Sequence, residues 1–311
     1  MAALDDLREF SLEEAGVNLW VFKGPNGPSD EAPRFSGHWV DTTDQVDSVL
    51  KGILESARHS INEVIEYGLL AQNNEGSALV IATTETYADR LVERAAAETN
   101  EKRAVSVAHL RNSSFYDVKL VQEHNIIHAI RKTDRSWQGK RAIGLSTFLF
   151  RDEVLTLEER PKFDIDATID FLVVGDQILI LNKAHFESVL RYKATFMEDF
   201  AELKAEAAFR GAFVDVGPLV AFVGDNKLNL RRLSAIRQKG HYRDPQFMAR
   251  LRELHHEFDL HLEFDAGGRI VVTPENCGEV ITALLDHRLA SAFSNAVYDV
   301  PSTTTVRTGQ A

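Results

Sequence analysis

FLVVGDQILILNKAHFESVLRY, residues 171–192, sets two short apolar runs on either side of Gly175-Asp176 and then passes through Asn182-Lys183 into helical spacing. A two-residue Gly-Asp joint between strand-forming runs is a hairpin signal, and Asn ahead of a helical stretch is a capping signal. The second run is apolar at Ile178, Leu179, Ile180 and Leu181 without alternation, which suits a strand covered on both faces. Upstream, Phe163, Ile165, Ala167, Ile169, Phe171 and Val173 alternate with Asp164, Asp166, Thr168 and Asp170, so a half-buried strand is expected over 163–173. Downstream, Phe186, Leu190, Phe196, Met197, Phe200, Leu203 and Ala207 trace one stripe, and a single long helix is expected from Ala184 to about Phe209.

Outward from this segment the grammar is α+β. NLWVFKG (18–24), SALVIATT (77–84), RAVSVAHL (103–110) and RAIGLSTFLF (141–150) read as strands, with helices around 41–58 and 85–98 and an exposed loop in GPNGPSDEAP (24–33). Further on, Leu230, Leu233 and Ile236 share one side of a helix, and Asp244-Pro245 suit the cap and first turn of another carrying Phe247, Leu251, Leu254 and Phe258. HLEFD and RIVVT around Ala266-Gly267-Gly268 form a hairpin pattern, followed by a helix near 275–291. Two helices and a hairpin resemble a winged-helix arrangement by analogy. A chain of 311 residues exceeds one ordinary domain. Two mixed domains are expected, breaking at the polar RDEVLTLEERPK (151–162): residues 1–150 for assembly or partner docking, and 151–311 with hairpins packed on helices and a polar tail after about 301.

Composition narrows the function classes. Hydrophobic residues at 44% and charged residues at 26% are ordinary for a globular chain. No apolar run approaches the roughly 20 residues that span a bilayer, and the acidic start lacks a signal-peptide pattern, so a cytoplasmic protein is expected. The lone Cys277 supplies neither an internal disulfide nor a cysteine cluster for zinc.

Catalytic and metal patterns are incomplete. Single-metal nucleases hold a cation with carboxylates on a hairpin and place an acid two residues before a lysine. Asp166, Asp170 and Lys183 have that outline, but Leu181 occupies the acid position, so Asn182 is expected to cap a helix instead. Asp117-Val118-Lys119 has the acid-x-lysine spacing without a second carboxylate strand. His124 and His128 lack a third ligand, and His255, His256, Glu257, His261, Glu263 and Asp265 read as a solvated helix end and hairpin face. Neither a phosphate-binding glycine loop nor a nucleophile elbow is present. No catalytic residue, metal ligand or cofactor is expected, with a metal-dependent nuclease as the enzyme rival.

Net charge is −12, which disfavours indiscriminate coating of nucleic acid, yet residues 227–252 hold eight basic residues against the single Asp244. That segment carries +7, so the remainder carries −19. Arrayed guanidinium and ammonium groups attract phosphates by releasing counterions, making Arg231, Arg232, Arg237, Lys239 and Arg243 the candidate DNA contacts. The competing reading is an interaction scaffold whose basic patch docks an acidic partner or anionic headgroups.

FDIDATIDFLVVGDQILILNKAHFESVLRY, LRRLSAIRQKGHYRDPQFMARL, GRIVVTPEN and the closing YDVPSTTTV together resemble the family of the B protein of the Kiwa anti-phage defence system. The resemblance covers residues 145–306 and, in general layout, the first half. It brings no catalytic signature. It implies a cytosolic DNA-binding effector that works with a small multi-pass membrane protein, assembles as a homo-oligomer, and impedes phage DNA replication and late transcription.

Overall fold

The computed structural model describes residues 2–26, 34–96, 102–111, 113–133, 148–151, 154–157, 163 and 165–300. The tail after 301, Asp164 and most of the 24–33 loop lie outside the described residues. The chain is α+β and divides into two compact units, Met1–Tyr67 with Asn73–Arg191, and Gly68–Gln72 with Tyr192–Ala311. The break thus falls at Arg191/Tyr192, later than the expected boundary near 150–162.

In the first unit, β1 (Gly16–Asn26), β2 (Arg34–Val40), β3 (Glu63–Glu66), β4 (Ser77–Ala82), β5 (Phe115–Gln122) and β6 (Asn125–Lys132) join β9 (Phe171–Val174) and β10 (Gln177–Ile180) in one sheet. The order is β2-β1-β5-β6-β9-β10-β4-β3, antiparallel except for β3 beside β4. β7 (Phe148–Arg151) and β8 (Val154–Leu157) form a separate pair. The helices are α1 (Ala2–Glu9), α2 (Asp44–Ser60), α3 (Ala88–Ala96), α4 (Val107–Leu110) and α5 (Lys183–Val189).

The opening hairpin explains the late boundary. Val174 pairs with Gln177 across Gly175-Asp176, and Gly175 takes φ +58, a left-handed conformation that glycine adopts without a Cβ penalty. β9 bonds β6 and β10 bonds β4, so the hairpin is interior to the sheet, and all four β9 residues are buried. Both faces are covered, as the unbroken apolar run requires. Leu4, Leu7, Leu50 and Leu54 from α1 and α2 share a core with Val21, Val118, Leu120, Leu172 and Leu179. The alternate residues Trp20, Phe22 and Phe115 point the other way, with Phe22 and Phe115 stacked at 4.9 Å. Gly37 lies across from Phe22, where a Cβ would come within 2.6 Å of the ring.

Other expectations need correction as well. The 163–173 alternation becomes strand only from Phe171, because Asp166 and Asp170 are both drawn to one arginine, Arg131. RAVSVAHL is not a strand: the Ala104 N–H bonds the Trp39 carbonyl and Val107–Leu110 turn as α4. The long helix from 184 is three, α5, α6 (Tyr192–Ala205) and α7 (Ala207–Gly211), parted first at Arg191 with φ +58.

The second unit continues with α8 (Gly217–Val223), α9 (Lys227–Lys239), α10 (Pro245–Leu254), the pair β11 (Glu263–Phe264) and β12 (Ile270–Val271), α11 (Cys277–Leu284), and the pair β13 (Arg288–Ala290) and β14 (Val297–Asp299). α11 ends well before 291, and the 261–273 hairpin has only two paired residues in each strand. Phe196, Phe200 and Leu203 of α6 pack with Leu230, Leu233 and Ile236 of α9 and with Val280, Ile281 and Leu284 of α11.

Candidate nucleic-acid interface

Local chemistry fixes the helix that carries four of the five candidate contacts. The Asn226 side chain accepts from the Leu228 and Asn229 N–H groups at 3.0 and 3.2 Å, opening α9, and Gly240 at φ +70 closes it. Asp244 then accepts from the Gln246 N–H at 2.8 Å, with Pro245 in the first turn of α10. With Leu230, Leu233 and Ile236 buried, Arg231, Arg232, Arg237 and Lys239 ride the remaining arc of α9, and Arg243 follows in a single 3-10 turn.

The five do not share one environment. Arg237 reaches Asp199 of α6 at 2.7 Å and also binds Glu202. Burial works against its charge, but these two carboxylates outweigh burial and raise its pKa. Arg243 grips Glu206 with two parallel bonds of 2.6 and 2.8 Å, and the Tyr242 hydroxyl donates to the same carboxylate at 2.8 Å. The Arg243 bond chiefly holds Glu206 down to about 2, while burial and the bond to Glu206 push Tyr242 up to about 12. Lys239 donates to the Leu285 carbonyl at 2.6 Å, just past α11, and burial lowers its pKa against the pull of Asp286. Arg231 is half-buried and engaged with its surroundings. Arg232 is half-buried, forms no ion pair among the described residues, and joins Lys239 in the positive field felt by His287. Sequence reasoning located the cations and missed Asp199, Glu202 and Glu206. The missed signal was their i, i+3, i+7 spacing, with Asp199 and Glu202 on α6 and Glu206 at the cap of α7.

The nuclease-like constellation is built differently. Asp170, fully buried, accepts from Arg131 at 2.6 Å, from His185 Nδ1 at 2.8 Å and from the Lys132 N–H at 2.7 Å. Arg131 also binds Asp166 at 2.6 Å, so one guanidinium stands between the two carboxylates where a divalent cation would have to sit. Its charge is held up by both acids against the cost of burial. Asn182 caps α5 by accepting from the His185 N–H at 3.1 Å, and the buried Lys183 ammonium lies 5.0 Å from the Tyr67 ring centroid. Lys183 therefore faces an aromatic ring rather than a surface.

Asp117 and His128 form a buried pair at 2.7 Å on neighbouring strands, and Lys119 donates to the Ala95 carbonyl at 3.4 Å. His128 sits on β6 while His124 occupies the exposed turn before it, so the two share no helix face. The buried His255 is anchored by the Leu260 carbonyl at 2.9 Å, while His256 is exposed. Among the described residues, no group of three or more His, Cys, Asp and Glu side chains is placed to hold a metal ion, and no helix is long and apolar enough to cross a membrane.

In comparison with known proteins, the chain matches the family model for Kiwa protein KwaB-like proteins over residues 110–294, more than half of its length. No curated protein and no solved structure matches it. The matched span runs from the middle strands of the sheet through the Asp170 hairpin and α9 to the tip of the last hairpin, and the chain belongs to the Kiwa KwaB-like family, with a role in Kiwa anti-phage defence.

Proposed function

We propose that this protein is the DNA-binding effector of a Kiwa system, which holds the DNA backbone through α9 and obstructs phage replication or late transcription without cutting the strand. The observation that carries the reading is the +7 of residues 227–252 in a chain of net charge −12. The ion pairs grade the five cations. Arg237 and Arg243 would have to surrender carboxylates to meet a phosphate, whereas Arg232, which forms no ion pair among the described residues, can meet one without breaking a pair. The protein works in the cytoplasm as a homo-oligomer, recruited to the membrane by a small multi-pass partner of the same system.

A salt-titrated duplex-binding measurement tests this reading, since the slope of log K against log salt is about 0.9 per phosphate neutralised. Reversing Arg231, Arg232 and Lys239 to Glu together abolishes duplex binding and phage protection. Undiminished binding by the triple variant removes α9 from the mechanism. Nicking of supercoiled plasmid with Mg²⁺ by the wild-type chain, lost in Lys183→Ala, would overturn the non-cleaving part.

A further inference from the structure

A groove on the second unit has taken no part in the function so far. It runs between α10 with the turn after it and the end of α11, and encloses about 300 Å³. That is the low end of small-molecule sites, room for one planar ring system and a short polar extension. Its wall is apolar and partly aromatic, lined by Phe247, Leu254, Phe258 and Ala283. The aromatic part is fixed in place: His241 stacks on Phe247 at 4.3 Å and is itself held by the Leu284 carbonyl at 3.1 Å.

The polar residues of the lining are of unequal sign. Arg250 on α10 and Arg288 at the start of β13 both line the groove, and neither forms an ion pair among the described residues. The Arg288 Nε is buried without a hydrogen-bond partner, an orphaned donor of the kind that folded proteins rarely leave. Asp286, two residues past the end of α11 in a left-handed turn, φ +56, has an exposed side chain and belongs to the same lining. An aromatic wall, two guanidinium groups for an anion and one carboxylate for an amine form a complementary set for a single nucleotide. Arginine pairs phosphate by geometry as well as charge, and aspartate accepts from an exocyclic base amine.

We propose that this groove is a nucleotide site. The base lies against Phe247 and Phe258, its amino group donates to Asp286, and the phosphate is held by Arg250 and Arg288. The nucleotide is either free or the unpaired end of a DNA strand, and the second source rests on the DNA-binding reading above.

Calorimetric titration of the full chain with dAMP, deoxyadenosine and inorganic phosphate tests the groove directly. Expected is binding of dAMP at least about tenfold tighter than of either fragment, and a further loss of about tenfold in Arg250→Ala, one charged hydrogen bond's worth. A second variant, Leu254→Arg, fills the groove and abolishes dAMP binding at an unchanged unfolding midpoint. Equal affinity for dAMP and phosphate, or dAMP affinity unchanged in both variants, overturns the proposal. The source is separated by comparing a blunt duplex with one bearing a short unpaired tail. A preference for the tail that disappears in Arg250→Ala assigns the strand end. Binding of dAMP without any tail preference assigns the free nucleotide, and leaves the groove standing even if the duplex-binding reading falls.

Discussion

The hairpin of the first unit and the basic helix of the second handle charge in opposite ways. At the hairpin a fully buried acid, Asp170, collects an arginine, a histidine and a backbone N–H, and every one of its bonds is internal. On α9 and the turn after it, two exposed or half-exposed arginines are answered by acids, Arg237 by Asp199 and Glu202 of α6 and Arg243 by Glu206 at the cap of α7, while Arg232 forms no ion pair among the described residues. The partners lie at similar distances along the chain, 39 residues from Arg131 to Asp170, 38 from Asp199 to Arg237 and 37 from Glu206 to Arg243. What differs is desolvation. A buried pair is a commitment of the fold, because losing one member strands the other out of water, whereas an exposed pair can exchange its partner at little cost.

That contrast can be broken at several points. The largest effect is expected from Asp170→Ala, which leaves the Arg131 guanidinium with only the exposed Asp166, strips the acceptor from His185 and the Lys132 N–H, and lowers stability by about 3 kcal/mol in urea unfolding. Arg243→Gln, at an exposed pair, should shift the same curve far less. If the two variants unfold alike, the distinction between the regions is lost.

Acid should act next. His287 is buried, and burial chiefly, with Lys239, holds its pKa near 4 against an ordinary 6.5. The unfolded chain therefore takes up the proton first, so this contribution is present above about pH 6.5 and is lost as pH falls toward 4. The loss is on the order of 3 kcal/mol at most. Glu206, at about 2 rather than 4.5, adds a separate decline below pH 4.5. His287→Leu should flatten the unfolding midpoint of the second unit between pH 6.5 and 4; an unchanged profile would locate the acid sensitivity elsewhere.

Smaller effects come from the caps. Asn182→Ala in one unit and Asn226→Ala in the other each remove a side-chain acceptor from a helix start and should cost about 1 kcal/mol by thermal unfolding. Smallest is the change in DNA salt slope. Arg232→Gln should lower it by about one phosphate's share, and Arg237→Gln should leave it nearly as it was. The reverse ranking would mean that the α6 carboxylates release their arginines to DNA.

What could be read in advance was whatever is decided within a few residues. Gly175-Asp176 as a turn, Asn182 as a cap, and Asp244-Pro245 as a helix start each depend on neighbours in the chain, and each stands as expected. The strand over 163–173 failed because its polar face was read as solvated, while Asp166 and Asp170 bind an arginine on another strand. The single helix from 184 failed because a continuous apolar stripe does not register a left-handed residue at 191. The domain break failed for a related reason: a polar stretch marks a loop, but only strand pairing reveals that the chain returns to the same sheet. At the candidate interface the surplus of cations was legible, and their neutralisation was not, since that depends on which helix α9 packs against.

The place of the hairpin in the sheet has a consequence for synthesis. β4 and β6 are not neighbours; β9 and β10 lie between them, and those strands leave the ribosome only after residue 180. Until then the nascent chain carries two half-sheets, each with a bare edge that any extended peptide can join. A fragment cut at residue 150 would keep both edges open permanently. It would be a sticky, incomplete particle rather than an independent domain, and the newborn protein would most need a chaperone in the interval before Phe171–Ile180 slots home.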